Sequence, residues 1–471
     1  MSFDPRFTNA PFKTEADISG LRVTVMGLGL NGGGLASARF FASRGALVTV
    51  TDGKGEKDLA PSIEALADLK GIRYVLGRHE ERDFVEADTV IKNPGVKLAG
   101  NPYLSLARSI ETDVSAFLRL SDSPLLAVTG SKGKSSTVSA LHFGLVELGY
   151  RAFLGGNITV SPLTFLKETG PDTPVVLELS SWQLADLRGR GLLKPKVAVL
   201  TPIMPDHQNW YGGMEPYVAD KKVIYADMGP DSHLLCNRDD EWGPLFRRET
   251  AATPHWYSAR PFPDQPGAWL EADGTGWMRE EGKARPRMIL PKELAVPGFH
   301  MRQNLLNAGQ AMVLFGADPD WTAEALSRFP GITHRLEFFH EENGTRWYND
   351  SAATIPEAVA AALGSFEAPV VLLTGGTDKN LDFTPLARVA SRAKKILLLA
   401  GTGTDKLVPL LKERSIPFEG PFSDLTGLVQ AARNAAQGGD VVLFSPGATS
   451  FGLFRNEFDR GDKFRAAVIE K

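Results

Sequence analysis

The chain contains one cysteine, Cys236, in 471 residues, so an intrachain disulfide framework is excluded and a reducing compartment is expected. Cys236 stands in the strand-like run His233-Leu234-Leu235-Cys236 and reads as a small buried hydrophobe. No apolar run approaches the ~18 residues of a membrane-spanning helix, so no membrane association is expected. The first residues, MSFDPRFTNAPFKTE, are polar and mixed in charge and do not read as a signal peptide. Excess charge of either sign is also missing: the formal net charge is −4, which gives no reason to expect a nucleic-acid partner or an anionic membrane surface. Tandem repeats, low-complexity tracts and heptads are absent as well. The length allows two to four domains, each with its own core.

What is present is a recurring apolar run of strand length: Arg22–Met26, Val48–Thr51, Thr89–Ile91, Leu125–Thr129, Val175–Leu179, Val197–Thr201, Val370–Thr374, Ile396–Ala400 and Val441–Phe444. Stretches with helical spacing lie between them, among them Leu35–Arg44, Ser136–Leu148, Ile355–Ala362 and Thr426–Ala436. The alternation predicts an α/β protein with mostly parallel sheets. Three groups of strands carry separate loop chemistry, so three sheets and three domains are expected: 1–112, 113–331 and 332–471. The first and last are Rossmann-like and the central one is of the P-loop ATPase type. The segment Trp256–Arg287, rich in Pro, Gly and Trp, reads as an irregular or antiparallel excursion. A hinge is expected near 329–333, at the turn Phe329-Pro330-Gly331.

The strongest local signal is Leu125 to Thr137, where an apolar strand runs into Gly130-Ser131-Lys132-Gly133-Lys134-Ser135-Ser136 and a helix opens at once. Glycines let backbone N–H groups close around phosphate oxygens, and a helix N-terminus favours negative charge. Lys134 would reach the terminal phosphates of ATP, and Ser135 or Ser136 would face Mg²⁺. Only Ser131 and Lys132 separate Gly130 from Gly-Lys, two residues fewer than in the standard P-loop.

A second glycine loop, Gly27-Leu28-Gly29-Leu30-Asn31-Gly32, follows the strand Arg22–Met26, and Asp52 ends the next strand. This spacing serves a ligand with a diphosphate and a ribose. Both NAD and a UDP-sugar qualify. The second phosphate loop at 130–136 favours the UDP-sugar, because a dehydrogenase has no need of it. Another loop, Lys92-Asn93-Pro94-Gly95-Val96, ends a strand on the same expected edge.

Glu178, inside the apolar run Val175–Leu179, is costly to bury unless paired, bound to a cation such as Mg²⁺, or used to cap the next helix. Asp206-His207 ends another strand, and Tyr217–Tyr225, with Lys221 and Lys222, reads as one helix. Each of these alone has an ordinary structural explanation.

Taken in order, the motifs resemble the Mur ligases, which form amide bonds at the expense of ATP in peptidoglycan precursor synthesis. The matching elements are Thr129–Ser136, Glu178–Leu184, Asp206-His207, Ala219–Tyr225, His300 with Asn304, His334-Arg335-Leu336-Glu337, Asn349-Asp350-Ser351 with Thr354, Gly375-Gly376 with Asp378-Lys379, and Ser445-Pro446-Gly447 with Ser450 and Arg460-Gly461. Within the family, the Gly27–Gly32 loop with Asp52, the loop at 93–96 and Gly155-Gly156-Asn157 point to members that act on UDP-N-acetylmuramoyl-L-alanine and D-glutamate.

The resemblance implies roles for single residues. Lys134, Glu178, His207 and Lys221 would be catalytic. ATP would be held by Gly130, Ser131, Lys132, Gly133, Lys134, Ser135, Ser136, Asn304, Arg335 and Asp350. The UDP-substrate would meet Gly29, Leu30, Asn31, Asp52, Asn93, Pro94, Gly95, Asn157 and Ser180, and the amino acid Thr354, Lys379, Ser450 and Phe458. Two Mg²⁺ ions would lie among Ser135, Ser136, Glu178, His207 and a carbamylated Lys221. A cytoplasmic monomer is implied.

Three positions depart from the family pattern. Ala352 replaces a lysine near the amino-acid site, and Met301 replaces an asparagine near the ATP site. Phe458 aligns only with a one-residue insertion. The first and third bear on which amino acid is added. An NAD-dependent oxidoreductase, a folylpolyglutamate synthase relative and a catalytically silent nucleotide-binding protein remain as alternatives.

Overall fold

Strands buried on both faces read as unbroken apolar runs, and that is how most strands of this chain read. A computed structural model describes residues 4–30, 32–283, 285–450 and 454–470, without the side chains of 208 and 209. Asn31 therefore lies outside the described residues. Two compact units form: residues 1–290 with 304–325, and residues 291–303 with 326–471.

The first unit carries two sheets. Strands β1 (Arg22–Met26), β2 (Leu47–Asp52), β3 (Arg73–Leu76), β4 (Thr89–Lys92) and β5 (Ile110–Glu111) make a parallel sheet in the order β3-β2-β1-β4-β5. The order reverses between β1 and β4, and the Gly27 and Asn93 loops leave the sheet at that switch point, where open α/β sheets bind ligands.

The second sheet has nine strands: β6 (Leu125–Thr129), β7 (Phe153–Gly156), β8 (Val175–Glu178), β9 (Val197–Leu200), β10 (His233–Asn237), β11 (Thr253–Ser258), β12 (Gly267–Leu270), β13 (Gly276–Arg279) and β14 (Arg287–Leu290). Their order is β14-β13-β12-β11-β10-β9-β6-β8-β7. β6 to β12 are parallel, and β12 to β14 form an antiparallel meander, the excursion expected for Trp256–Arg287. β6 lies between β8 and β9, so the phosphate-type loop emerges between Glu178 on one side and Asp206-His207 on the other.

One apolar cluster serves both sheets, from Phe41 and Val50 to Leu177 and Ala198. Polar bolts cross the same region. The Arg190 guanidinium is fully buried and pairs with Glu111 Oε2 at 3.0 Å, while donating to the carbonyls of Phe7 and Ile110, both at 2.9 Å. Without Arg190 the buried Glu111 keeps only Arg119, at 2.8 Å, as ion-pair partner, and the Phe7 and Ile110 carbonyls lose their side-chain donor. Arg190→Met is therefore expected to destabilise this unit by about 3 kcal/mol, read as a lowered urea midpoint against wild type.

The second unit contains β15 (Glu337–Glu342), β16 (Thr345–Asn349), β17 (Val370–Gly375), β18 (Lys395–Leu399), β19 (Glu419–Phe422) and β20 (Val441–Phe444), in the order β15-β16-β20-β17-β18-β19. Alternate residues face opposite sides. Leu372, Leu398 and Leu443 enter one core cluster, and Val371, Leu397 and Val442 enter the other, with Phe464 of the C-terminal helix.

One local expectation changes. The run Tyr217–Tyr225 is not one helix but two, Met214–Lys221 and Val223–Ala226, parted at Lys222. Lys222 keeps right-handed helical dihedrals (φ −59°, ψ −20°), so the break is a local loss of helical hydrogen bonding and the chain direction changes little.

Candidate functional site

The phosphate-type loop is shaped by two glycines at positive φ where a Cβ would meet a neighbour. A Cβ on Gly130 (φ +148°) would lie 1.9 Å from Thr201 Oγ1, and one on Gly133 (φ +89°) would lie 2.3 Å from Asn304 Oδ1. Asn304 is thereby set directly against the loop. The helix Lys134–Glu147 then opens with Lys134, Ser135 and Ser136 in its first turn. Lys134 Nζ curls back on the carbonyls of Gly130 at 3.0 Å and Ser131 at 3.1 Å. Burial pushes its pKa down, against the pull of Glu178 and Asp206. Ser131 is otherwise engaged: its Oγ donates to the Met204 carbonyl at 2.8 Å and lies 3.0 Å from Tyr217 Oη. Lys132 is exposed, 3.8 Å from Asp206. Gly133→Ala is expected to weaken ATP binding at least about tenfold, since a non-glycine residue held in such a region costs roughly 1–3 kcal/mol before the clash is counted; calorimetric titration reads it.

Glu178 ends β8 and is buried. Its Oε1 accepts from Asn157 Nδ2 at 2.9 Å, whereas Oε2 is buried with no hydrogen-bond partner among the described residues. The capping alternative fails, because Ser180 caps the helix Ser181–Leu187 by accepting from the Gln183 N–H, and Gln183 Oε1 accepts in return from the Ser180 N–H at 3.0 Å. An orphaned carboxylate oxygen beside a phosphate-type loop fits a hard cation. Among the described residues no three His, Cys, Asp or Glu side chains cluster as a metal cage. Mg²⁺ suits such a place, since it is held by one or two carboxylates together with phosphate and water oxygens.

Lys221 is 1% exposed, over the Tyr217 ring at 4.6 Å and 3.4 Å from Thr129 Oγ1. Burial first, and the like charge of Lys134 second, lower its pKa to about 7. His207 adopts positive φ (+51°) and is exposed, its ring 5.4 Å from Trp182 and 6.4 Å from Tyr217. Lys134, Glu178 and Lys221 thus lie close together about the end of β6, and His207 stands beside Tyr217. Thr129, Tyr217, Trp182 and Thr201 join them without having been singled out. Tyr217 carried a signal in its place one helical turn before Lys221.

In the five-stranded sheet, Asp52 Oδ2 accepts from the Gly29 N–H at 3.1 Å and Oδ1 from the Lys54 N–H at 2.9 Å. Leu30 is exposed. A Cβ on Gly27 would meet the Asn93 Cβ at 2.9 Å, so the two loops touch, and Asn93 Oδ1 accepts from the Gly95 N–H at 3.0 Å. Pro94 completes that turn. Asn157 and Ser180 stand beside Glu178, and the segment that follows Asn157 reaches the glycine loop, where a Cβ on Gly32 would lie 3.0 Å from the Thr159 carbonyl oxygen.

In the second unit, Asp350 is buried, accepting from Ser445 Oγ at 2.6 Å and from the Leu336 N–H at 3.1 Å. Burial raises its pKa to about 7. Arg335, which precedes Leu336, is exposed. Thr377 and Thr449 pair backbones and bring the Lys379 loop to the Ser450 loop. Lys379 is exposed and Ser450 buried, while Phe458 is exposed with its ring 5.7 Å from His334. Thr354 is half-buried. Arg460 is fully buried, donating to Ser351 Oγ at 3.0 Å, the Ser351 carbonyl at 2.8 Å and the Ala448 carbonyl at 3.0 Å.

The fold and these loops define an α/β nucleotide-binding protein with two glycine-loop sites in one unit. Comparison with known proteins goes further. Family models match as the Mur ligase MurD-like N-terminal domain (residues 21–115), the Mur ligase middle domain (128–311) and the Mur ligase glutamate ligase domain (334–447). The chain is 46% identical to the UDP-N-acetylmuramoylalanine–D-glutamate ligase of Treponema pallidum over 97% of its own length and 99% of the relative's. It is 41% identical to the protein of that name from a Roseiflexus species, over 96% and 99%. Among solved structures, the UDP-N-acetylmuramate–alanine ligase of Thermotoga maritima shares the fold at a TM-score of 0.57 and 20% identity, over 94% of this chain and 98% of that one. The chain belongs to the Mur ligase family.

Proposed function

We propose that this protein joins D-glutamate to UDP-N-acetylmuramoyl-L-alanine, with ATP consumed, in peptidoglycan precursor synthesis. The observation that carries the reading is the pairing, within one unit, of a diphosphate-type loop closed by Asp52 with a phosphate-type loop flanked by Glu178 and Lys221. An oxidoreductase has no use for the second loop. The full-length relatives bear the corresponding name.

The reaction suits the residues. The alanine carboxylate of the nucleotide attacks the γ-phosphorus of ATP, the bond to the β–γ bridging oxygen breaks, and ADP leaves. The glutamate amine then attacks the acyl phosphate carbonyl, loses a proton, and expels inorganic phosphate. Carboxylate oxygen is a poor leaving group and phosphate a good one, which is why ATP is spent. The protein positions the reactants and neutralises charge.

Gly130 to Ser136 would hold the ATP phosphates, with Lys134 on the transferred group, and Asn304, Arg335 and Asp350 would complete the ATP site. Glu178, Ser135 or Ser136, His207 and a carbamylated Lys221 would hold Mg²⁺ at two positions. The bound ions would offset negative charge on the phosphates. Gly29, Leu30, Asp52, Asn93, Pro94, Gly95, Asn157 and Ser180 would receive the nucleotide. Thr354, Lys379, Ser450 and Phe458 would receive the amino acid, Lys379 supplying a cation for a dicarboxylate. The division into domains 1–112, 113–331 and 332–471, the monomeric state and a cytoplasmic location belong to the same proposal. No helix of the described residues is long and apolar enough to cross a membrane.

One observation favours a second reading of the acceptor alone: Ala352 stands where the family has a lysine. The experiment is ADP release with Mg²⁺-ATP and UDP-N-acetylmuramoyl-L-alanine, in parallel with D-glutamate, L-glutamate, D-lysine and no amino acid. Turnover with D-glutamate alone is expected. Turnover with another acceptor would move the specificity and make Ala352 its first suspect, and no turnover would reject this nucleotide.

A further inference from the structure

Lys92 closes β4 and directly precedes the Asn93–Val96 loop. Its ammonium is 2% exposed and meets three acceptors: the carbonyls of Asn93 at 3.2 Å and Val96 at 2.8 Å, and Asp186 Oδ2 at 2.8 Å. Two of its protons go to the turn's carbonyls, and its charge is paired with Asp186. Asp186 is buried too, near the end of the helix Ser181–Leu187, whose cap Ser180 follows Glu178 by two residues. One ammonium therefore grips both ends of a turn in the five-stranded sheet and ties that turn to the helix that leaves the Glu178 strand.

Burying both charges costs about as much as their attraction returns, so stability alone is a weak reason for the pair. The companion pair Arg190–Glu111 already bolts the same helix region to β5. What Lys92 does and an apolar residue could not is fix two carbonyls of the turn.

We infer that Lys92 and Asp186 are positioning residues that hold the 93–96 turn in the shape that receives the nucleotide substrate. The inference rests on the proposed reading of that turn as part of the nucleotide site. The ordering cost of the turn is met before the substrate arrives, and affinity gains accordingly.

Three variants test this: Lys92→Met, Asp186→Asn and the double variant. Lys92→Met strands a buried carboxylate, so its thermal midpoint is expected to fall. The double variant removes that penalty, and its midpoint is expected to return towards wild type. The KM for UDP-N-acetylmuramoyl-L-alanine is expected to stay raised about tenfold in both. The KM for ATP and kcat at saturating nucleotide are expected to remain within about twofold, since they read a different loop. In the free protein, the amides of Val96 and Lys97 are expected to exchange faster in the double variant than in wild type.

A double variant with wild-type KM and wild-type exchange would overturn the inference and leave the pair a structural device. An equal rise in both KM values would overturn it as well. If wild type fails to turn over this nucleotide, the functional reading falls, and the exchange rates still judge the tether by themselves.

Discussion

Lys134→Met is expected to lower turnover about a thousandfold, the upper end of what loss of one transition-state charge partner costs, with thermal midpoint and affinity for the UDP-substrate close to wild type. The reason lies in where the ammonium rests. In the free protein Lys134 Nζ solvates itself on two carbonyls of its own loop, Gly130 and Ser131, at 3.0 and 3.1 Å. Burial makes that charge expensive, and Glu178 and Asp206 partly compensate it. Phosphate oxygens are better partners than carbonyls for a desolvated ammonium. The charge transferred in the reaction passes through a transition state spread over three phosphoryl oxygens, which is where a cation held by the loop acts most strongly. Methionine keeps the stem and the volume and removes only the charge. Arginine at the same position is expected to fall between the two, because its planar fork does not fit where a compact ammonium sits. Steady-state ADP release with a single-turnover control reads both. A loss of less than tenfold in Lys134→Met would show that the loop backbone alone carries phosphate neutralisation.

The loops at strand ends were legible in the sequence because glycine and short apolar runs are local signals. Gly27, Gly130 and Gly133 all proved to be positions where a Cβ would strike a neighbour, and Arg22–Met26, Leu125–Thr129 and Val441–Phe444 became strands with those bounds. The antiparallel excursion near Trp256 was legible for the same reason. What stayed hidden depends on which residues meet across the sheets. Lys92 reads as the first residue of its loop, but its partner Asp186 is ninety-four residues later and both are buried. The amide of Asn157 donates to Glu178, a contact between two loops that no spacing in the sequence displays. The Ser180 hydroxyl serves as a helix cap, a use not expected from the sequence. Hydroxyls and amides have several local uses, and only the fold decides between them. The break at Lys222 was hidden because the residue keeps helical dihedrals and only the hydrogen-bond pattern changes there.

Lys221 offers the second large effect, and its sign follows from burial. The pKa is lowered to about 7, chiefly by desolvation and secondarily by Lys134. A group with a lowered pKa is neutral above that value, so the free amine becomes abundant as pH rises through about 7 and is lost below it. A neutral amine attacks CO₂: the N–C bond forms, one proton leaves, and an anionic carbamate results. The product would place a carboxylate-like oxygen pair near Thr129, on the same loop end as the orphaned Glu178 oxygen. A cation that merely crowds Lys134 would thereby become a metal ligand. Three outcomes are expected together. Lys221→Ala and Lys221→Arg both lose about a thousandfold in turnover, the latter because a guanidinium keeps its charge at every accessible pH. Wild-type activity in CO₂-depleted buffer falls as pH drops from 8 to 6, and bicarbonate restores it most at the upper end of that range. Labelled bicarbonate gives a carbamate carbon signal in wild type that neither variant shows. If Lys221→Arg retains activity, or wild-type turnover ignores bicarbonate across the range, the buried amine acts by charge alone and the second Mg²⁺ position loses its anionic ligand.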